Sequence, residues 1–290
     1  MSEPEHLKKI LESIENLSPF PETARKVLEL SGDDEIDYKE IINVIKYDEV
    51  LTTNCLKICN SSYYGFRAKT FTVDQAVIAL GIKNIQMIAL ASSKELSGYS
   101  KAHNGYSMNA GELWRHSVTT AIISQLLFKN KGSQEASILF TSTLLHDIGK
   151  TVLNEYIVEE NGKLVALAQR ENLSLVEAEK AVFGIDHAEL GGLIGEKWRF
   201  PSMLCNSIRN HHSSAEKFIP NIEAWVRLSN LVYHVWLANS VYSHRREIIS
   251  RVKESFLFQF GLKQAHIDQL SSDLQPELLK IESLLMLSWA

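Results

Sequence analysis

The segment Leu144-Leu145-His146-Asp147-Ile148-Gly149-Lys150 gathers an imidazole, a carboxylate and an ammonium at the end of the apolar run from Ile138. On a helix, His146 and Asp147 lie about 100° apart, so both can converge on one side. Lys150 comes one turn after His146 and three residues after Asp147, which places it on that side too. Neutral imidazole with carboxylate suits divalent ions such as Fe, Mn, Co, Ni or Zn. Taken alone, a polar helix end explains the His-Asp pair as well.

Further residues of the same types follow helical spacing. Glu112 and His116 sit four apart on a helix whose apolar face carries Leu113, Val118, Ala121 and Leu127. That spacing is a recurrent way to offer two metal ligands, although a surface pair is the plainer alternative. His187 opens a helix after Gly184-Ile185-Asp186, where Asp186 is either an orienting partner or a cap. His211-His212 ends a helix starting near Pro201, a position that a cationic histidine also favours for the helix dipole. Each plain alternative stands by itself, but all of them together are harder to accept. His6, His103, His234, His244 and His266 have no such context.

The elements that must position these residues read as helices. Pro (6) and Gly (14) are scarce, and most segments show a three-to-four-residue apolar rhythm. The N-terminal segment is amphipathic, Ser18-Pro19-Phe20-Pro21 launches a helix to about Ser31, and 36–45 and 50–60 follow. Thr72-Val73-Asp74-Gln75 has the pattern of a capping box, opening a helix that stops at Gly81. Another runs over 83–96, and the polar stretch 98–110 connects two lobes, 1–100 and 101–290. Beyond it, helices are expected at 111–130, 134–156, 161–170, 174–182, 187–196, 201–211 and 221–240, with two more over 244–290. The fold class expected is all-α, a two-lobed multi-helix bundle.

Composition narrows the class of function. With 45% hydrophobic and 22% charged residues the chain is that of a globular protein. A net charge of −5 argues against non-specific nucleic-acid binding. Three scattered cysteines, Cys55, Cys59 and Cys205, suit a reducing compartment, and Cys55 and Cys59 read as small buried thiols. No apolar signal core or membrane-length run is evident, so the expected location is the cytoplasm.

The order Glu112-x3-His116, His146-Asp147-x2-Lys150, His187, His211-His212 resembles the HD phosphohydrolase superfamily, within it the HD-GYP branch. The N-terminal third is similar instead to the HDOD family of HD-related output domains. The carriers of that likeness are LSPFPETARKVLEL, Ile45 to Thr52, Leu56 to Gly65 (LKICNSSYYG) and Val73 to Gly81. The resemblance covers about 14–240 and implies an HD-type helical core in the C-terminal lobe.

By resemblance, Glu112, His116, His146, Asp147, His187, His211 and His212 map onto metal ligands, and Lys150 onto a lysine near bound phosphate. One or two divalent ions (Fe, Mn, Ni or Zn) are implied. Two departures stand out. Asn230, in Val226-Arg227-Leu228-Ser229-Asn230-Leu231, replaces the final aspartate of the HD pattern, with Asp186, Glu189 and Glu216 as candidate substitutes. His211-His212 runs into Ser213-Ser214-Ala215-Glu216 without the Gly-Tyr-Pro loop that helps recognise cyclic di-GMP. The expectation is a bacterial signalling protein that binds metal and a phosphorylated or nucleotide-like ligand without efficient turnover. A metal-dependent phosphohydrolase, with Lys150 and Asp147 in catalytic roles, is the alternative. Partners are expected among signalling proteins or small phosphorylated ligands, not nucleic acids or membranes.

Overall fold

Short polar side chains start five of the described helices by binding backbone N–H groups that have no partner within the helix. In a computed structural model of the chain, which describes residues 3–31, 35–61, 72–93, 96, 98–99, 101–127, 133–160, 162–212, 269, 273 and 276, Asp37 accepts from the Lys39 and Glu40 amides (2.8 and 3.2 Å). That starts α3 (Tyr38–Lys46), after α1 (Glu3–Glu15) and α2 (Glu22–Leu30). Asp48 accepts from the Leu51 amide (2.9 Å) and starts α4 (Glu49–Cys59). Asn60 stops α4, its side chain donating to the Leu56 carbonyl; Tyr63 and Tyr64 lie outside the described residues. The Thr72 hydroxyl accepts from the Gln75 amide (3.3 Å) at α5 (Val73–Leu80), as its sequence pattern anticipates. Gly81, at φ +75°, then turns the chain into α6 (Ile82–Ala91) through 110°. Helix α6 ends before the expected Leu96, where the Ser93 hydroxyl donates to the Ala89 carbonyl.

After a 3₁₀ turn at Asn104–Tyr106 come α7 (Glu112–Leu127), α8 (Ser133–Leu145), α9 (Gly149–Glu159), α10 (Lys163–Glu171), α11 (Leu175–Phe183), α12 (His187–Lys197) and α13 (Ser202–Arg209). The described residues form no strand, only an isolated bridge between His103 and Met108. The all-α expectation holds. Nothing is described for the helices expected over 221–240 and 244–290, nor for Asn230 and Glu216.

Two units emerge. One gathers the described residues of Met1–Phe20, Glu95–Ser117 and Ser142–Trp236, the other those of Pro21–Lys94, Val118–Thr141 and Leu237–Ala290. The second unit has a core of Val27, Ile41, Ile45, Ile58, Ala76, Val77 and Ile85, all buried. Its thiols, Cys55 and Cys59, are free and buried, and burial pushes the Cys55 thiol up to about 12.

In the first unit, α12 fits closely against α9 and α13 because glycine removes the side chains that would hold them apart. A Cβ on Gly191 would meet Ile208 at 2.8 Å, and one on Gly192 would meet Arg209 at 2.9 Å. Gly149 is the most constrained: a Cβ there would collide with the His187 carbonyl and lie 2.9 Å from the Gly191 amide nitrogen. Phe20, Trp198 and Phe200 close one end of this unit, with ring centroids 5.1 to 5.8 Å apart.

Candidate metal centre

His146 and Asp147 occupy a break in what sequence spacing suggests is one helix over 134–156. Helix α8 stops at Leu145, α9 starts at Gly149, and the turn between them is closed by Ile148 N–H to Leu145 O (3.0 Å) and Lys150 N–H to Asp147 O (2.9 Å). The cause is the contact at Gly149. Backbone-to-backbone packing on the start of α12 fixes the direction of α9, and the break lets Asp147 face His187, the first residue of α12.

Around Asp147 the side chains arrange on both carboxylate oxygens. Oδ2 lies 3.1 Å from His116 Nε2, 3.3 Å from His146 Nε2 and 2.7 Å from the Lys150 ammonium. Oδ1 lies 3.3 Å from His187 Nε2 and 3.6 Å from His211 Nε2. His212 adds its Nε2 at 2.9 Å from that of His187. Two sets of donors result, His116, His146 and Asp147 on one side and Asp147, His187, His211 and His212 on the other, sharing one carboxylate. Asp147, His146, His187 and His211 are fully buried, and His212 is exposed.

The far sides of the rings explain which nitrogen faces the centre. His146 Nδ1 lies 2.6 Å from the Thr143 carbonyl and His211 Nδ1 2.7 Å from the Ile208 carbonyl. A carbonyl only accepts, so each Nδ1 donates and each Nε2 keeps a lone pair. His187 Nδ1 lies 2.6 Å from Glu179 Oε2, which also accepts from the His187 amide at 2.9 Å. The other oxygen, Oε1, accepts from the Tyr106 hydroxyl at 2.9 Å. Gly105 packs on α9 beside Asn154, whose side chain accepts from the Gly105 amide (3.0 Å), and this sets the adjacent Tyr106.

Electrostatics favour a cation here. Burial opposes the charge on Asp147, but His146 and Lys150 hold its carboxyl well below the usual range. Burial lowers His116 and His146 and takes His211 down to about 4, leaving neutral rings. Burial opposes charge on His187 as well, yet Glu179 carries it up to about 9, so Nε2 is a strongly basic nitrogen whose proton a metal ion would displace on binding. His146 Nε2 and His116 Nε2 face each other at 3.1 Å, as do those of His187 and His212 at 2.9 Å. Nitrogens bound at about 2.1 Å to one ion stand roughly 3 Å apart. Asp147 Oδ1 and His211 Nε2 are buried without a hydrogen-bond partner. The residues present therefore fit a divalent transition metal.

Of the residues singled out by sequence, His116, His146, Asp147, Lys150, His187, His211 and His212 come together. Glu112 is outside both donor sets; its carboxylate accepts from the Asn109 amide (2.8 Å) at the start of α7. Asp186 proves to be a cap, accepting from the Glu189 amide (2.7 Å) and pairing with Lys180 (2.9 Å). Glu179 and Tyr106 are absent from the sequence-based set. The available signal is that Glu179, four residues before the buried Phe183 on α11, is a carboxylate on a buried face. His103, also passed over, is buried, and its Nδ1 lies 3.0 Å from the Lys101 carbonyl.

The model of the HDOD domain matches residues 17–214. The chain belongs to the HDOD family. Among solved structures, this HDOD chain is similar to a candidate phosphohydrolase from Shewanella amazonensis SB2B (TM-score 0.68, 21% identity, 95% of this chain and 97% of that one). It is similar as well to an HDOD domain protein from Geobacter sulfurreducens (TM-score 0.62, 24% identity, 84% and 79%). A candidate signal transduction protein from Marinobacter aquaeolei VT8 gives a TM-score of 0.70 at 17% identity, covering 96% and 61%. A protein of Treponema pallidum (strain Nichols) is 23% identical over 203 residues, 69% of this chain and 39% of that protein. The chain thus spans well under half the length of that curated relative. These likenesses establish the HDOD fold; they assign no substrate.

Proposed function

We propose that this HDOD protein is a regulatory module that binds one or two divalent transition-metal ions around Asp147 and a small phosphorylated or nucleotide-like ligand beside Lys150, without efficient turnover. The observation that carries this reading is the buried Asp147 carboxylate, shared by two sets of imidazole donors, whose Oδ1 faces His187 and His211 without making a hydrogen bond. His116, His146 and Asp147 would hold one ion, and Asp147, His187, His211 and His212 the other. When bound, a divalent cation supplies positive charge that neutralises and polarises a phosphate.

The chain's own residues suit an anion at this place. Lys150 is buried, with its ammonium on Asp147 and 5.5 Å from the Tyr106 ring centroid, a fixed positive group beside the donors. Exposed His212 marks the side on which a ligand can approach. Against turnover stands Asn230, a neutral amide where the superfamily pattern has aspartate.

A metal-dependent phosphohydrolase is the second reading. It is favoured by the retention of Lys150 next to a shared carboxylate, and two similar structures carry names of that kind, one of them a candidate metal-dependent phosphohydrolase from Shewanella amazonensis SB2B.

The test is calorimetric titration of Mn(II)-loaded protein with inorganic phosphate and with nucleotides, beside turnover assays on phosphomonoesters and phosphodiesters. The regulatory reading predicts saturable binding and turnover no faster than in a His146→Ala variant. Metal-dependent turnover abolished by that variant would replace it with the hydrolase. Absence of both metal and phosphate binding would remove both readings.

A further inference from the structure

The donor rings are not backed alike. His146 and His211 lean on neutral backbone carbonyls, whereas His187 leans on the Glu179 carboxylate. Glu179 is fully buried and reaches His187 twice, at ring Nδ1 (2.6 Å) and at the backbone amide (2.9 Å). Its remaining oxygen is fixed by the Tyr106 hydroxyl (2.9 Å). Tyr106 stands edge-on to the His187 ring, with centroids 6.4 Å apart. Both ends of the carboxylate are thus used, and neither the tilt nor the tautomer of His187 is left to chance.

A carboxylate behind a ligand histidine fixes the ring and makes its outer nitrogen a stronger donor. The same side of the centre offers four donors among the described residues, against three on the His116 side. We propose that Glu179, held by Tyr106, is a positioning residue that makes the His187 side of the centre the first of its two positions to take up a metal ion. This rests on the metal-binding reading above. It assigns to α11 and the 3₁₀ turn, which supply no ligand themselves, control over the order of filling.

The experiment is titration of metal-stripped full-length protein with Co(II), followed by visible absorption and by elemental analysis after gel filtration. Wild type, Glu179→Gln, Tyr106→Phe, His116→Ala and His187→Ala are compared. Glu179→Gln keeps the shape and an acceptor oxygen but removes the charge, and circular dichroism verifies that each variant is folded.

Wild-type protein is expected to take up Co(II) in two steps, the first of which survives His116→Ala and disappears in His187→Ala. Glu179→Gln should weaken that first step by about 10- to 100-fold and alter its absorption spectrum, leaving the weaker step within twofold. Tyr106→Phe should fall between. A purely structural role for Glu179 would move neither the spectrum nor one step selectively. Glu179→Gln protein with both steps unchanged, or both weakened equally, overturns the proposal while the metal-binding reading stands. A first step lost in His116→Ala instead overturns the order of filling. Wild-type protein that binds no Co(II) overturns both.

Discussion

At the residue scale, the centre depends on the different parts played by Asp147 and Lys150. Asp147 is the shared donor, and the Lys150 ammonium at 2.7 Å from its Oδ2 competes with a cation for that oxygen. A protonated lysine has no lone pair and ligates nothing. Lys150→Ala should therefore leave metal content unchanged or tighter, while affinity for inorganic phosphate falls at least about tenfold, the weight of one charge-assisted contact. Metal analysis and phosphate titration on the same preparation check it. Loss of metal in Lys150→Ala would mean that the lysine organises the donors, not the anion.

At the scale of elements, the close approach of α9 and α12 decides where His146, Asp147 and His187 meet. A Cβ on Gly149 would collide with backbone, which cannot rotate aside as a side chain can. Gly149→Ala should lower stability by at least about 2 kcal/mol in urea unfolding and reduce metal uptake with it. Gly162 is a control: at φ +84° with nothing within 4 Å of its Cβ position, Gly162→Ala should cost only about 1 kcal/mol and spare the metal.

These contrasts also explain what the sequence makes legible. The convergence of His146, Asp147 and Lys150 follows from helical spacing, and the three share one side in the structure despite the break between α8 and α9. The break itself has only a faint signal, Gly149 straight after the donors, because its cause is a contact with α12 forty residues away. His187, His211 and His212 had to be placed by family resemblance, since only the packing of α12 and α13 brings them to Asp147. Glu179 was missed for a different reason. It follows Glu177, which makes the capping box with Ser174, and spacing alone does not tell a capping glutamate from one that turns inward.

At the scale of the whole molecule, the HDOD chain carries a formal net charge of −5. No single described helix is long and apolar enough to cross a membrane. A centre whose donors come from α7, α12 and the ends of α8 and α13 would couple ion binding to the folded state, because the unfolded chain does not hold these donors together. At an ion concentration a hundredfold above Kd, the added stability is about 2.7 kcal/mol. In a chain of this size that raises the thermal midpoint by roughly 4 °C. A chelator should reverse the shift in a reversible melt, and His187→Ala should abolish most of it.

The most direct test of the central claim is the metal content of untagged protein purified without added metal, beside a His146→Ala/Asp147→Ala double variant. The account predicts at least near-stoichiometric Fe, Mn, Ni or Zn in the wild type and its disappearance from the folded double variant. Wild-type protein that is metal-free and takes up no added ion, or a double variant that keeps its metal, would contradict it.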